Sequence, residues 1–312
     1  AAITAVGTIM MPKMIEAGYP KPFVIVLAAS AALLEALIPP SNAAILYSAL
    51  TYVPVSQTFA AGVIPGLILL LFMIILVLFK CRNVQRYKPA TNYEKLVLGI
   101  KAFPALLTPL IILGGIYGGF LTPSESAAVS GIWAIFMGFV IYRELKIKSL
   151  LQSVKDTAIT TAVIFSIIAM ATFLSKVFTY TQFPQFIIKS ITEMGVGLNF
   201  FWFAMALICL ILGTFIEIVP VFYLTIPIFT AIILSVDQSL IHLYVVFVAF
   251  AGIGMITPPV CVGIYTSASV IKENPGNAFK EVPLFTVVGI LYGILMILFP
   301  GLSTWLPNYL SG

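Results

Sequence analysis

The sequence predicts an all-α integral membrane protein built on an inverted repeat, in which each repeat contains a helix broken at a proline pair. Of the 312 residues, 61% are hydrophobic and 9% are charged, and the mean hydropathy is +1.12. A soluble domain carries roughly 25% charged residues, so this chain could not cover a globule with polar surface. The proline pairs, Pro39–Pro40 and Pro258–Pro259, lie inside apolar stretches.

The apolar runs predict the membrane-spanning elements. A helix needs about 20 apolar residues to cross the hydrocarbon core. Runs without Asp, Glu, Lys or Arg cover 59–79, 103–121, 126–142, 157–175, 198–216, 218–234, 240–256 and 284–300. The three cysteines show no CxxC spacing and two of them lie in apolar stretches, which indicates small hydrophobic residues and no disulfide framework.

The basic residues predict the orientation. Most of them cluster in the short loops 80–101 and 143–156, and of all 16 basic residues only Lys176 and Lys189 are not expected on the same side of the membrane as these loops. This placement follows the positive-inside rule and is unlike a nucleic-acid-binding patch, so both loops are expected to be cytoplasmic. The tail after residue 300 has no charge and carries aromatic residues, which predicts a periplasmic C-terminus.

Two windows, 9–46 and 224–264, follow the same order of elements. Each reads as an apolar segment with a proline, a polar bend, an apolar helix, the Pro-Pro break and a short helix of small residues. The bend of the first window contains two lysines, whereas Asp237 is the only charged residue in the second bend. The bends are therefore expected on opposite sides of the membrane, as in the inverted repeats of transporters.

The breaks are the first candidates for a binding site. Non-helical backbone at membrane depth persists only where it is buried or lines a polar cavity. Freed carbonyl groups can replace the water shell of an ion, and exposed helix N-termini attract anions. The alternative is two kinked helices whose prolines serve packing alone.

The motifs around these breaks resemble the large membrane subunit of tripartite ATP-independent periplasmic (TRAP) transporters. The resemblance rests on "GGIYGGFLTPSESAAV" at 114–129, "IPPS", "GTFIEIVP", "GMITPPVCV", and "FTYTQFPQ" at 178–185. It extends over essentially the whole chain, and it implies that a further portion of the subunit, including the tip of the first re-entrant hairpin, precedes Ala1.

The resemblance implies an elevator-type transporter with two re-entrant helical hairpins. Residues 1–52 and 157–271 would form the transport domain, whereas 53–156 and 272–312 would belong to the scaffold. A small four-helix membrane subunit and a periplasmic binding protein would be the partners, besides the lipid bilayer, with no nucleic acid. The expected activity is sodium-driven uptake of a small organic acid across the bacterial inner membrane, without enzymatic chemistry and without a cofactor other than Na⁺.

The resemblance also implies site residues. One sodium site is expected at Glu35, Ile38 and Pro40. A second is expected at Gly213, Gly254, Thr257 and Pro259. Substrate contacts are expected from Ser41, Asn42, Lys176, Tyr180 and Glu217.

Several of these residues have simpler interpretations. The family usually has Gly-Pro where this chain has Glu35 and Ala36, so Glu35 is expected to ligate sodium, pair with a cation, take up a proton, or merely face water. Glu217 is either a functional acid or a hairpin cap, and Lys176 either supplies a cation to the substrate or snorkels to the outer interface. Tyr180 stands where members that carry acid sugars often have Arg.

Other residues and other functions have weaker support in the sequence. Thr122 and Glu125 have the spacing of a capping box, and the lone His242 is a weak ligand candidate. A stand-alone ion-coupled anion symporter is the nearest alternative function. A channel does not require inverted broken helices, and an intramembrane protease would need clustered histidines and acids or a GxSxG motif, which the sequence lacks.

Overall fold

The computed structural model describes residues 2–82, 84, 91–183, 185–186, 189 and 198–311, and residues 83 and 85–90 of the predicted basic loop lie outside this part. The helices are α1 (Ala2–Glu16), α2 (Lys21–Leu37), α3 (Asn42–Thr51), α4 (Val55–Lys80), α5 (Asn92–Tyr117), α6 (Pro123–Phe136, continued by a π-helical segment, Met137–Ile141), α7 (Ile147–Tyr180), α8 (Leu198–Phe215), α9 (Ile218–Ser235), α10 (Leu240–Gly254), α11 (Val262–Val270), α12 (Val282–Leu298) and α13 (Gly301–Ser311). A short 3₁₀ turn, Pro275–Ala278, lies between α11 and α12. Within the described residues there is no strand, which confirms the all-α prediction.

Four of these helices are long and apolar enough to cross a membrane: α4, α5, α6 with its π-helical segment, and α7. Two bent pairs raise the number to as many as six among the described residues, because α2 and α3 meet at 46° and α12 and α13 at 57°. Helices α8, α9 and α10 are apolar but shorter. Helices α5 and α7 begin earlier than the apolar runs within them, because the preceding basic segments are also helical.

The chain forms two compact units, residues 1–86 with 171–312 and residues 87–170, so α7 contributes to both. These units divide the chain differently from the predicted transport and scaffold segments, whose boundaries stay a prediction. In the smaller unit, α5 and α6 pair as a hairpin. The Trp133 indole donates to the carbonyl of Pro104 (3.0 Å), and Tyr142 donates to that of Lys101 (2.8 Å).

A capping box begins each helix of this hairpin. The Thr122 hydroxyl accepts from the Glu125 amide, and the Glu125 carboxylate accepts from the Thr122 amide at 2.7 Å. Thr91 and Glu94 make the same pair of contacts at the start of α5. The structure therefore confirms that Glu125 caps a helix.

The larger unit is packed around α10, whose residues from His242 to Gly254 are all buried. Neighbouring helices approach it so closely that glycine is required. A Cβ atom on Gly213 of α8 would lie 2.3 Å from the carbonyl oxygen of Ala251. A Cβ atom on Gly62 of α4 would lie 1.9 Å from the carbonyl oxygen of Leu37, the last residue of α2.

Two ion pairs join the sequence halves at one end of this unit. Lys21 lies 2.9 Å from Glu273, and Lys80 lies 3.0 Å from Glu281 (Nζ to Oε2 in both). The Lys21 ammonium, through its hydrogen bond and its charge, holds the pKa of Glu273 below the usual value. Helix α12 has 17 residues and is therefore about 25 Å long. Glu281 comes just before α12 and α13 begins just after it, so α13 begins at the end of α12 that is far from the ion pairs.

We expect Gly62→Ala to destabilise the protein by about 1–3 kcal/mol, because the added methyl group would overlap the Leu37 carbonyl oxygen and force the backbones apart. Gly131→Ala is the matched control, since nothing lies within 4 Å of a Cβ atom there and Ala favours a helix by roughly 0.5–1 kcal/mol. Thermal unfolding of the purified protein in detergent measures both effects. An unfolding temperature for Gly62→Ala equal to that of Gly131→Ala would contradict the close approach of α4 and α2.

Candidate functional site between the broken helices

The first Pro-Pro pair leaves two carbonyl groups without their usual helical donors. Proline has no N–H, so Pro39 and Pro40 cannot donate to the carbonyls of Glu35 and Ala36, four residues earlier. Both proline pairs are joined by cis peptide bonds. Within the described residues no other backbone or side-chain donor reaches the Glu35 carbonyl. This carbonyl is therefore a free acceptor at the break.

The neighbouring Ala36 carbonyl, in contrast, is satisfied twice. It accepts from the Ser41 hydroxyl at 2.8 Å and from the Tyr244 hydroxyl of α10. Ser41 is also the N-cap of α3, where its oxygen accepts from the Ala44 amide at 3.3 Å. Its side chain is 1% exposed, so both of its hydrogen-bonding roles are internal.

The second Pro-Pro pair removes the donors of the Gly254 and Met255 carbonyls, and the backbone replaces both. The Thr257 amide donates to Gly254 at 2.9 Å, and the Gly263 amide of α11 donates to Met255 at 3.1 Å. The two breaks therefore differ, because the first leaves a freed carbonyl and the second re-satisfies both of its carbonyls.

The side chain of Thr257 has an available lone pair at the second break. Its hydroxyl donates to the Ile253 carbonyl at 2.8 Å and lies 3.3 Å from the Thr286 hydroxyl of α12. Because its one hydrogen is used on Ile253, Thr286 is the donor of the second bond. Gly213 is adjacent, since a Cβ atom on Gly254 would lie 2.7 Å from the Gly213 Cα.

A cavity of about 240 Å³ lies between the two broken helices. Its walls come from α1, α2 and α3 on one side and from α9, α10 and α11 on the other, and most of them are apolar. The polar lining residues are Glu35, Asn42, Glu217 and Thr266. A cavity of about 150 Å³ already holds benzene, so this one has room for a small organic molecule.

The cavity has an acidic lining. Glu35 and Glu217 are its charged lining residues among those described, and neither Lys nor Arg joins them. Glu217 occupies the N-cap position of α9, but its side chain makes no cap hydrogen bond. The two carboxylates attract cations, and they repel an anion unless cations accompany it.

The structure brings some of the predicted site residues together and leaves others apart. Glu35, Asn42 and Glu217 line one cavity, and Gly213 packs against Gly254, whose carbonyl accepts from the Thr257 amide. Ile38 packs against α4, and Pro40 and Pro259 are exposed at the breaks. Ser41 is buried as a cap. Lys176 and Tyr180 are exposed on α7 and are not among the lining residues.

Sequence reasoning missed Tyr244 and Thr286, which contact the two breaks from other helices. Both lie in apolar runs without a local motif, so the sequence carries no signal for them. His242 has a structural environment: its Nδ1 lies 2.8 Å from the Ser303 hydroxyl, and its ring meets Trp202 edge to face.

Comparison with known proteins agrees with this architecture. Residues 1–302 match the sequence model of the family described as "Tripartite ATP-independent periplasmic transporter, DctM component". The C4-dicarboxylate TRAP transporter large permease protein of Vibrio cholerae is 34% identical over 334 residues, which cover 100% of this chain and 74% of that protein. Its counterpart in Pseudomonas aeruginosa is 31% identical, with 100% and 73% covered.

A relative with another substrate in its name is similar over the same length. The ectoine TRAP transporter large permease protein of Halomonas elongata is 29% identical over 310 residues, which cover 99% of this chain and 73% of that protein. The resemblance found in the sequence motifs is thereby confirmed. The chain belongs to the family of DctM components, the large membrane permeases of tripartite ATP-independent periplasmic transporters.

Proposed function

We propose that this chain carries a small organic acid, a carboxylate or a sugar acid, across the bacterial inner membrane, driven by a sodium gradient. A periplasmic binding protein delivers the substrate, and a small four-helix membrane subunit accompanies the permease. The observation that supports this best is the acidic cavity between the two broken helices. Relatives named for C4-dicarboxylates and for ectoine agree with a small, polar substrate.

The acidic lining gives a physical reason for coupling to a cation. An organic acid entering beside Glu35 and Glu217 meets two negative charges in a largely apolar cavity. Cations bound next to these carboxylates offset the repulsion and leave the cavity attractive to an anion. Substrate and sodium thus bind well together and poorly alone, which is the basis of symport.

The two proposed sodium sites use the oxygen atoms at the breaks. At the first, Glu35 offers a freed backbone carbonyl and a carboxylate from one residue, and the carbonyls of Ile38 and Pro40 follow at the break. At the second, Thr257 offers a lone pair, Gly213 and Gly254 pack against each other at the end of α10, and Pro259 is in the break. Hard cations prefer such oxygen ligands.

For the substrate, Asn42 and Glu217 are the contacts that already line the cavity. Ser41 would contribute only if its cap bonds opened, and Lys176 and Tyr180 only in a state in which α7 closes over the cavity. We retain these three as proposed substrate contacts for such a state.

Transport is proposed to follow an elevator mechanism in which the broken helices move together. Helices α8 and α9 form a short hairpin whose tip, at Glu217, reaches the cavity, as a re-entrant hairpin should. Gly62 of α4 contacts Leu37, and a Cβ on Gly289 of α12 would lie 2.7 Å from Ile253. These contacts join the broken helices to α4 and α12, which belong to the proposed scaffold.

The test of this function is uptake into proteoliposomes that contain the permease and the small subunit. Labelled succinate and ectoine serve as probes, with and without the binding protein and an inward sodium gradient. We expect uptake of at least one probe only when both are supplied. Uptake without the binding protein would favour a stand-alone symporter, and uptake that ignores sodium would refute the coupling.

We expect Thr257→Val to raise the half-maximal sodium concentration for uptake. Valine keeps the shape but removes one oxygen ligand, at a cost of about 1–3 kcal/mol, which is roughly 5- to 150-fold in affinity. Thr225→Val is the matched control, since that buried hydroxyl bonds only the Val221 carbonyl of its own helix (2.8 Å). If only the apparent affinity for substrate changes, Thr257 contacts substrate and is not a sodium ligand.

We expect Glu35→Gln to change the sodium dependence of uptake by a similar factor, because glutamine removes the charge that faces the cavity. Expression should stay normal, since the side chain is exposed to the cavity and bears no hydrogen bond that holds the fold together. Glu16→Gln, a carboxylate at the end of α1, serves as the control. Sodium and pH profiles that match those of the control would leave Glu35 without a role in coupling.

The proposed orientation places the ion pairs of Lys21 and Lys80 on the cytoplasmic side and α13 on the periplasmic side. Single cysteines introduced by Leu310→Cys and Glu144→Cys, in a background without the native cysteines, test this assignment. In spheroplasts a membrane-impermeant maleimide should label position 310, and it should label 144 only after permeabilisation. Labelling of position 144 in intact spheroplasts would reverse the topology.

A further inference from the structure

We propose that Tyr244 of α10 is a positioning residue for the cation site at the first Pro-Pro break. Its hydroxyl crosses from the second sequence half and donates to the Ala36 carbonyl, the residue beside Glu35. This inference rests on the sodium-coupled uptake proposed above and extends it to a residue that touches neither ion nor substrate.

The need for such a donor follows from the two prolines. They free two consecutive carbonyls, of Glu35 and Ala36, at the end of α2. The hydroxyls of Ser41 and Tyr244 both converge on Ala36, and neither reaches Glu35. One carbonyl is thereby held by the protein, and the other is left for a ligand.

Tyr244 itself is held firmly. It is fully buried, and its ring contacts the ring of Tyr47 at a centroid distance of 5.2 Å. The Tyr47 hydroxyl in turn donates to the Leu240 carbonyl at 2.5 Å, which fixes the first turn of α10. The position of the Ala36 carbonyl is thus set by an anchored side chain.

Fixing Ala36 matters for the adjacent carbonyl because both belong to the last turn of α2, where consecutive carbonyls share one direction. If the Ala36 carbonyl loses a donor, that turn gains alternative conformations, and only some of them keep the Glu35 carbonyl in the orientation that a ligand would use. Only molecules in one of these conformations can then bind the ligand. The apparent affinity falls in proportion to the fraction of molecules in such a conformation.

The position of Tyr244 also connects the two breaks. Thr257 lies three residues after the end of α10, and residues 244 to 254 of this helix span about 15 Å. One buried helix therefore supplies a donor to the first break and carries the candidate ligand of the second. Sodium binding at the two breaks should for this reason depend on the same helix position.

The experiment compares Tyr244→Phe with Tyr292→Phe in purified transporter. Tyr292 is equally buried and lies in the neighbouring α12, but its hydroxyl has no hydrogen-bond partner among the described residues. Unfolding temperature is measured against NaCl concentration, with choline chloride keeping the ionic strength constant, because a specific ion stabilises the folded state by mass action. Sodium-dependent uptake is measured in parallel.

We expect Tyr244→Phe to raise the sodium concentration for half-maximal stabilisation and for half-maximal uptake about five-fold, the ratio that corresponds to one hydrogen bond of ~1 kcal/mol. Uptake at saturating sodium should recover, and Tyr292→Phe should match the wild type. Ser41→Gly removes the other hydroxyl at little capping cost. Because Ser41 is also a proposed substrate contact, this variant is compared only by the sodium dependence of its unfolding temperature without substrate, which should shift in the same direction and gives the answer if Tyr244→Phe fails to fold.

A Tyr244→Phe variant that lowers the unfolding temperature but keeps the wild-type sodium dependence would show a purely structural role and overturn the inference. Unchanged sodium dependence in Ser41→Gly would overturn it as well. If the wild type shows neither sodium-specific stabilisation nor sodium-dependent uptake, the proposed function fails instead.

Discussion

Every backbone carbonyl in the interior of this molecule needs a hydrogen-bond donor, and two proline pairs remove four of those donors. The structure meets the deficit in different ways at the two breaks. At the second, nearby amides of Thr257 and Gly263 take over. At the first, side-chain hydroxyls of Ser41 and Tyr244 serve one carbonyl, and the Glu35 carbonyl stays open. The cavity, the close helix packing and the candidate ion sites all lie around the two breaks and their replacement hydrogen bonds.

The packing around the breaks follows from this constraint. A broken helix exposes polar backbone, so its neighbours must approach closely enough to exclude lipid. Glycines at 62, 213, 254 and 289 permit that approach, because a methyl group at any of them would lie within 3 Å of another atom. The tight packing also limits the movement of the Glu35 carbonyl, and a ligand loses less entropy on binding to a fixed group than to a mobile one.

Much of the fold was predictable from the sequence because the signals were local. Apolar runs, proline pairs and the Thr122–Glu125 spacing each act within one or two helical turns. Every predicted apolar run lies mostly in a helix and the cap is where it was predicted, but only four to six of the described elements are long enough to span a membrane. The cavity residues Glu35, Asn42 and Glu217 were indicated by motif resemblance. Tyr244 could not be predicted, because its bond to Ala36 joins residues 208 positions apart. Lys176 and Tyr180 do not line the cavity. The sequence motif could not show this, because the distance from α7 to the cavity depends on tertiary contacts.

The ties between distant parts of the chain set an order on biosynthesis. The first broken helix leaves the ribosome long before α10 exists, and at 5–20 residues per second the Ala36 carbonyl waits about 10–40 s for Tyr244. Lys80 likewise waits for Glu281, and Lys21 for Glu273. During this interval the Ala36 carbonyl has only the Ser41 donor, and both lysines lack their partners. The first half therefore reaches its full set of polar contacts only after α10 and the residues around Glu273 and Glu281 have been synthesised.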